Sequence, residues 1–213
     1  MVPTMTSIPA KLQKLEQILT DLHAPVINLL QPGIEAPTSI EFSEIMSYED
    51  EYEGSVTLPD SVREFYAWHN GVKENADQSD QSLAPYLVFH SLDVAKSEHG
   101  TLLDVAYEED FEDFDRRWYP LAKHLGSNLI LVDCSKKKNK ADAPVRFWED
   151  QANDVGVIHD SVETMVDFWI ECYSTGVYQF VKEGYIACTD DQAEAKIALR
   201  LTPKSKWWKA RLK

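Results

Sequence analysis

The stretch Asn128-Leu129-Ile130-Leu131-Val132-Asp133 constrains this chain most: an apolar run closed by an acid, short enough to be a central strand. Lys136-Lys137-Lys138-Asn139-Lys140 follows and reads as a hairpin loop, because Val145 and Phe147 then resume an alternating strand pattern. Tyr86 to His90 reads as a further buried strand, and Val155 to His159 as another.

Helical signals flank these strands. Leu12, Leu15, Ile18, Leu19 and Leu22 fall on one helical face, and Pro25 closes that segment before a loop at Gln31-Pro32-Gly33 and Pro37. Thr57-Leu58-Pro59-Asp60 offers a threonine cap and a first-turn proline. Val62, Phe65, Tyr66 and His69 follow at helical spacing, and Asn70-Gly71 supplies a left-handed stop. Leu103, Tyr107, Phe111 and Phe114 make a second stripe. Asp160-Ser161-Val162-Glu163 is a capping box for a helix whose face carries Met165, Val166, Trp169 and Tyr173, ended by Gly176. The acidic stretch from Glu41 to Gly54 carries Phe42, Ile45, Tyr48 and Tyr52, and no secondary-structure assignment follows from it.

Helices at both ends with strands between them, and no regular helical crossovers, give an α+β expectation: a mostly antiparallel central sheet with helices packed on one face. The 213 residues suit one domain with terminal helical additions. The expected division is 1–54 as an N-terminal helical extension, 55–176 as the core, and 177–213 as a C-terminal helical extension with a basic, tryptophan-containing tail.

Charge narrows the function. Twenty-one basic residues against thirty-six acidic ones leave −15, with a pI near 4.7. A general nucleic-acid binder needs basic surface to displace counterions, so the balance argues against that class, whereas a basic partner suits it. Cys134, Cys172 and Cys188 form no CxxC pair and leave one thiol over under any pairing, which fits a reducing compartment. The start shows no basic segment leading into an apolar one, and no stretch approaches the roughly 20 apolar residues of a membrane span. The expectation is a cytoplasmic protein with no stable membrane insertion.

Motifs for chemistry are missing. The glycines stand singly, so no phosphate loop can be drawn, and neither GxSxG nor HExxH occurs. No two of the six histidines are spaced i, i+4, and Cys134 has the setting of a buried structural thiol. No catalytic residue, cofactor or metal is therefore expected. The densest carboxylate cluster is Glu108, Glu109, Asp110, Glu112, Asp113 and Asp115, set on the polar side of the helix that the second stripe predicts. Acid–base work needs two carboxylates in different environments. These suit a solvated face or a partner-binding surface instead. In the tail, Lys204, Lys206, Lys209, Arg211 and Lys213 interleave with Trp207 and Trp208. Docking of the tryptophans on the core, with the lysines pairing to the acidic body, is the plainer reading beside single-strand stacking or membrane contact.

The segment from Leu58 to Gly71, ending Trp68-His69-Asn70-Gly71, resembles the signature of the SMI1/KNR4 family, the SUKH superfamily. Trp118-Tyr119-Pro120-Leu121 is similar to its W-x-P motif, and Gly126-Ser127-Asn128 with the run to Asp133 to its glycine turn and strand. Pro144 to Trp148 is similar to the next strand, and Asp160-Ser161-Val162 through Phe168-Trp169 to its closing helix. The lysine-rich hairpin departs from the family's usual Gly-rich one, and Val162 stands where an aromatic is commoner. The resemblance covers roughly 55–173. It implies motif residues that hold the fold rather than a shared catalytic site; His69, at a helix C-terminus, reads as a cap on free carbonyls.

It also implies a non-enzymatic binding protein, first an immunity protein that neutralises a basic, nuclease-type toxin domain by direct binding. The six acids from Glu108 to Asp115, with Glu49, Asp50, Glu51 and Glu53 beside them, are the expected contact surface. The alternative is a regulatory interaction protein of cell-wall synthesis and integrity, as the family's fungal relatives imply.

Overall fold

The computed structural model describes residues 7–45, 51–73, 81–108, 114–135, 141–149, 154–181 and 185–212. Its first half runs α1 (Ile8–Asp21), a 3-10 turn (Pro25–Asn28), β1 (Leu30–Pro32), β2 (Ser39–Ile45), β3 (Glu51–Thr57), α2 (Asp60–Trp68), β4 (His69–Val72), β5 (Ser82–Ala84), β6 (Leu87–Phe89) and α3 (Leu92–Glu108). The second half runs β7 (Trp118–His124), β8 (Asn128–Asp133), β9 (Val145–Glu149), β10 (Asp154–His159), α4 (Val162–Ser174), β11 (Tyr178–Phe180), β12 (Ile186–Cys188), α5 (Asp191–Leu201) and α6 (Lys206–Arg211).

Strands β5 to β10 form one six-stranded sheet in consecutive order, every neighbour antiparallel. The apolar run opening the sequence analysis is β8, an interior strand. Alternation along it sends Ile130 and Val132 into the main core and Leu129 and Leu131 to the reverse face. On the main face lie α1, α2 and α4, with Leu12, Leu15, Leu19, Val62, Phe65, Met165 and Phe168 buried. On the reverse face, Leu102 of α3 joins Trp118, Leu129, Leu131 and Trp148 in a smaller cluster. The α+β fold is thus as expected, with a minor second layer added to the one helical layer.

The acidic stretch that resisted assignment is a hairpin. β2 and β3 pair in unbroken register from Ser39↔Thr57 to Ile45↔Glu51. Its inward Ile40 and Val56 are buried. Elements of the two terminal stretches pack into the main core: α1 buries Leu12, Leu15 and Leu19 against α4 and α2, and α5 and α6 add Ala195, Ala198 and Trp208 to the same cluster. Each fully buried leucine of this kind contributes about 1.5–3 kcal/mol relative to exposure. Lys11 of α1 reaches α4, holding Asp167 at 2.6 Å and Glu163 at 2.8 Å.

Two helix boundaries shift from the sequence reading. Thr57 ends β3, and α2 starts at Asp60 with Pro59 as its cap residue, since Thr57 is already spent in the hairpin ladder. For α4 the cap is Ser161, whose hydroxyl accepts from the Thr164 amide, one residue later than expected. Gly71 does take a left-handed conformation (φ 74°), but inside β4. A Cβ there would lie 2.2 Å from the Ser91 amide nitrogen, so only glycine lets these chains approach. Among the described residues no helix is long and apolar enough to cross a membrane.

Candidate interaction surfaces

The six acids singled out at the end of α3 do not share one helix. Glu108 is the last residue of α3, Glu109, Asp110, Glu112 and Asp113 lie outside the described residues, and Asp115 stands in the non-helical lead-in to β7. The stripe that suggested a longer helix is divided: Leu103 is buried from α3, while Phe114 packs edge-on against Trp118 at 5.3 Å. Asp115 is drawn back onto the fold. Its Oδ1 accepts from the Arg117 amide and Nε, both at 2.9 Å, and its Oδ2 from the Arg117 guanidinium at 2.7 Å. Those bonds hold its carboxyl below the usual range, against the opposing effect of partial burial. Asp115 is therefore an anchor at the base of the acidic run.

Beside that anchor sits a buried ion pair. Asp133 is 1% exposed, and Arg146 donates to its Oδ2 from Nε at 3.0 Å and from the terminal nitrogen at 2.8 Å. Burial alone would raise this carboxyl. Hydrogen bonds from Ser135 and Arg146 outweigh it and hold the group ionised below its ordinary range. The Arg146 guanidinium lies 4.6 Å from the centre of the Trp118 ring. Trp118, Asp133 and Arg146 come from β7, β8 and β9 respectively and lock the three strands to each other.

Charge is concentrated in two segments of the sequence. Residues 39–54 hold six acids and no base, and 92–115 hold nine acids and one lysine, so these segments carry −14 of the chain's −15. Their described elements meet: α3 packs along β2, and the Phe42 ring meets the His99 ring edge-on at 5.0 Å. Glu49 and Asp50 lie outside the described residues, while Glu51 and Glu53 sit in β3 of that hairpin.

Burial shapes most of the thiols and imidazoles. Burial pushes the thiols of Cys134 and Cys172 up, and that of Cys188, with Glu194 beside it, to about 12. Burial likewise lowers His90 and His99, His124 to about 4 and His159 to about 3. His69 does bond a carbonyl, that of Gln31 at 2.9 Å, but on β1 rather than on its own helix, because the chain has already turned into β4. Among the described residues, Cys188, Asp191 and Glu194 place ligand-type atoms within 4.8 Å of one another. Glu194 also takes the Tyr178 hydroxyl at 2.6 Å, so this group already has internal partners at the start of α5.

One residue absent from the sequence reading proves central. Asp142 Oδ1 accepts from the Ser61 hydroxyl at 2.8 Å, the Ala143 amide at 2.8 Å and the Val162 amide at 2.9 Å, and its Oδ2 from the Glu163 amide at 3.2 Å. It thereby fixes the starts of α2 and α4 together. Its only sequence signal was an aspartate beside a proline-ended loop, far from either helix.

The conserved-type motifs now have positions: α2 and β4 carry Leu58 to Gly71, Trp118 opens β7, Asp133 closes β8, and α4 follows β10. The profile of the SMI1/KNR4 family (SUKH-1) matches residues 41–167, more than half of the chain. The chain belongs to that family. No curated protein matches it. Within the SUKH-1 stretch, the motif residues Trp118 and Asp133 are structural, spent on each other's strands through Arg146.

The tail lies beyond the SUKH-1 match and docks as the plainer sequence reading expected. Trp208 is buried, donating from its indole nitrogen to the Ile158 carbonyl at 2.9 Å, and the Ser205 hydroxyl donates to the Val157 carbonyl at 2.7 Å. Both acceptors belong to β10, the outer strand of the SUKH-1 sheet. The expected pairing of tail lysines with acids is not found: Lys204, Lys206 and Lys209 make no ion pair among the described residues.

Proposed function

We propose that this protein is a non-enzymatic immunity protein, which neutralises a basic toxin domain by binding it through the acidic surface around α3 and the β2–β3 hairpin. The observation that carries the reading is that −14 of the net charge falls in two sequence segments whose described elements, β2 and α3, pack together in a SUKH-1 fold. A field of one sign over one surface speeds the approach of an oppositely charged partner and competes for the patch that such a toxin would offer to nucleic acid. The burial of Cys172, His90, His99 and His159, and the spending of the motif residues on structure, support binding over catalysis. On this reading the protein works in the cytoplasm with a protein partner and no nucleic acid.

Affinity capture from the organism's own lysate, washed at low and then high salt, tests it. A single basic partner in stoichiometric amount, released by salt and relieved of its growth inhibition when both are co-expressed, is the expected result. Several unrelated partners retained at high salt would overturn it in favour of a regulatory role in wall synthesis or signalling.

A further inference from the structure

The tail does more than cover β10. Between it and the sheet lies an open cleft of about 840 Å³, to which β9 contributes Arg146, the turn before α4 Asp160, and the tail Lys204, Lys206, Trp207 and Arg211. Four cations against one acid is the reverse of the chain's overall balance of 21 to 36.

The cleft is built rather than incidental. Arg211 stacks its guanidinium on the Trp207 ring at 3.7 Å, and Trp207 rests against Phe147 at 5.4 Å. Opposite, Gly156 leaves the room this needs, since a Cβ there would come within 3.2 Å of the Trp207 ring. Arg146 is held by Asp133. Arg211 is thus the guanidinium fixed in the cleft, Arg146 being spent on Asp133 and Trp118, and two exposed lysines without ion pairs among the described residues complete the set. Asp133 neutralises Arg146, while Arg211, Lys204 and Lys206 have no ion pair among the described residues; these three like charges repel one another, and a bound anion relieves that repulsion.

We propose that this cleft binds a small multivalent phosphate anion, a di- or triphosphate group. A fixed guanidinium with flexible ammonium groups suits the dense charge and many acceptor oxygens of linked phosphates. Size follows from screening. A compact anion inside the cleft meets the local cations, because the Debye length is only about 8 Å at physiological salt. A long polyanion would extend beyond them along a body whose net charge is −15.

Calorimetry on the full chain at physiological salt tests this with pyrophosphate and adenosine triphosphate, with citrate as a carboxylate of similar charge and a DNA duplex of roughly 20 base pairs as a long polyanion. The expected result is saturable one-to-one binding of both phosphate ligands tighter than about 1 mM. It should weaken about tenfold or more in Lys204→Glu/Lys206→Glu and persist in Lys204→Arg/Lys206→Arg. The Trp207 indole resonance should shift on titration with pyrophosphate. Absence of saturable binding, equal binding by the charge-reversed variant, citrate or duplex bound as tightly, or shifts confined to another region would each overturn the proposal.

Discussion

The Ser61 hydroxyl donates to Asp142 Oδ1 at 2.8 Å, and the same carboxylate caps α4, so one side chain ties the start of α2 to the start of a helix a hundred residues later. Loss of a capping carboxylate costs about 0.5–2 kcal/mol, and stranding half-buried donors adds to it. Asp142→Ala should therefore lose about 2–3 kcal/mol in urea unfolding, and Ser61→Ala about 1 kcal/mol. Equal losses in the two variants would show that the bond to Ser61, rather than the cap on α4, carries the effect.

Acid sensitivity follows from the buried histidines. His159 has an ordinary value of 6.5 and is lowered by burial to about 3 in the fold. Below pH 6.5 the unfolded chain takes up a proton that the folded one refuses, so stability falls from pH 6.5 towards 3 and is unchanged above. Near pH 4.5 this amounts to roughly 2–3 kcal/mol from His159. His124, lowered to about 4 by burial and by Arg211, acts in the same direction. Asp115 and Asp133, both held below 3.8, add their loss only below about pH 4. Because His159 Nδ1 has no hydrogen-bond partner among the described residues, His159→Leu should keep its stability at pH 7.5 and flatten the decline between pH 6.5 and 4.5. An unchanged slope in unfolding midpoints would refute the assignment.

The same contrast between local and distant signals explains what the sequence showed. Helices α2 and α4 and strands β8 and β9 announce themselves because their burial imposes a period on neighbouring residues. The β2–β3 hairpin does not, since its long acidic run obscures the inward Ile40 and Val56. Asp142 is invisible for a different reason: its partners Ser61 and Glu163 are remote in the chain, and a single aspartate has no period. The acidic surface is half legible. Its charge can be counted, but the meeting of β2 with α3, and the withdrawal of Asp115 onto Arg117, depend on packing between distant segments.

Adjacent tryptophans in the tail offer a graded test of docking. Trp208 is 4% exposed and bonded to the Ile158 carbonyl, whereas Trp207 is only half-buried beneath Arg211. Trp208→Ala should cost about 3–5 kcal/mol in unfolding free energy, and Trp207→Ala distinctly less. Comparable small losses from both would mean that the tail adds little to the fold.

The acids of the proposed partner surface should separate into two groups. Asp115 makes three hydrogen bonds with Arg117 and is partly shielded, so Asp115→Asn should cost stability, about 1 kcal/mol, and change partner association little. Reversing Glu109, Asp110, Glu112 and Asp113 to lysine should do the opposite. Folding stability should hold. Association with a basic partner should slow by about tenfold or more at low salt, and its salt dependence should flatten as the steering field is removed. Stopped-flow association rates across a salt series distinguish the groups. Unchanged rates in the fourfold reversal would remove this surface from the interface while leaving the binding role of the fold to be sought on another face.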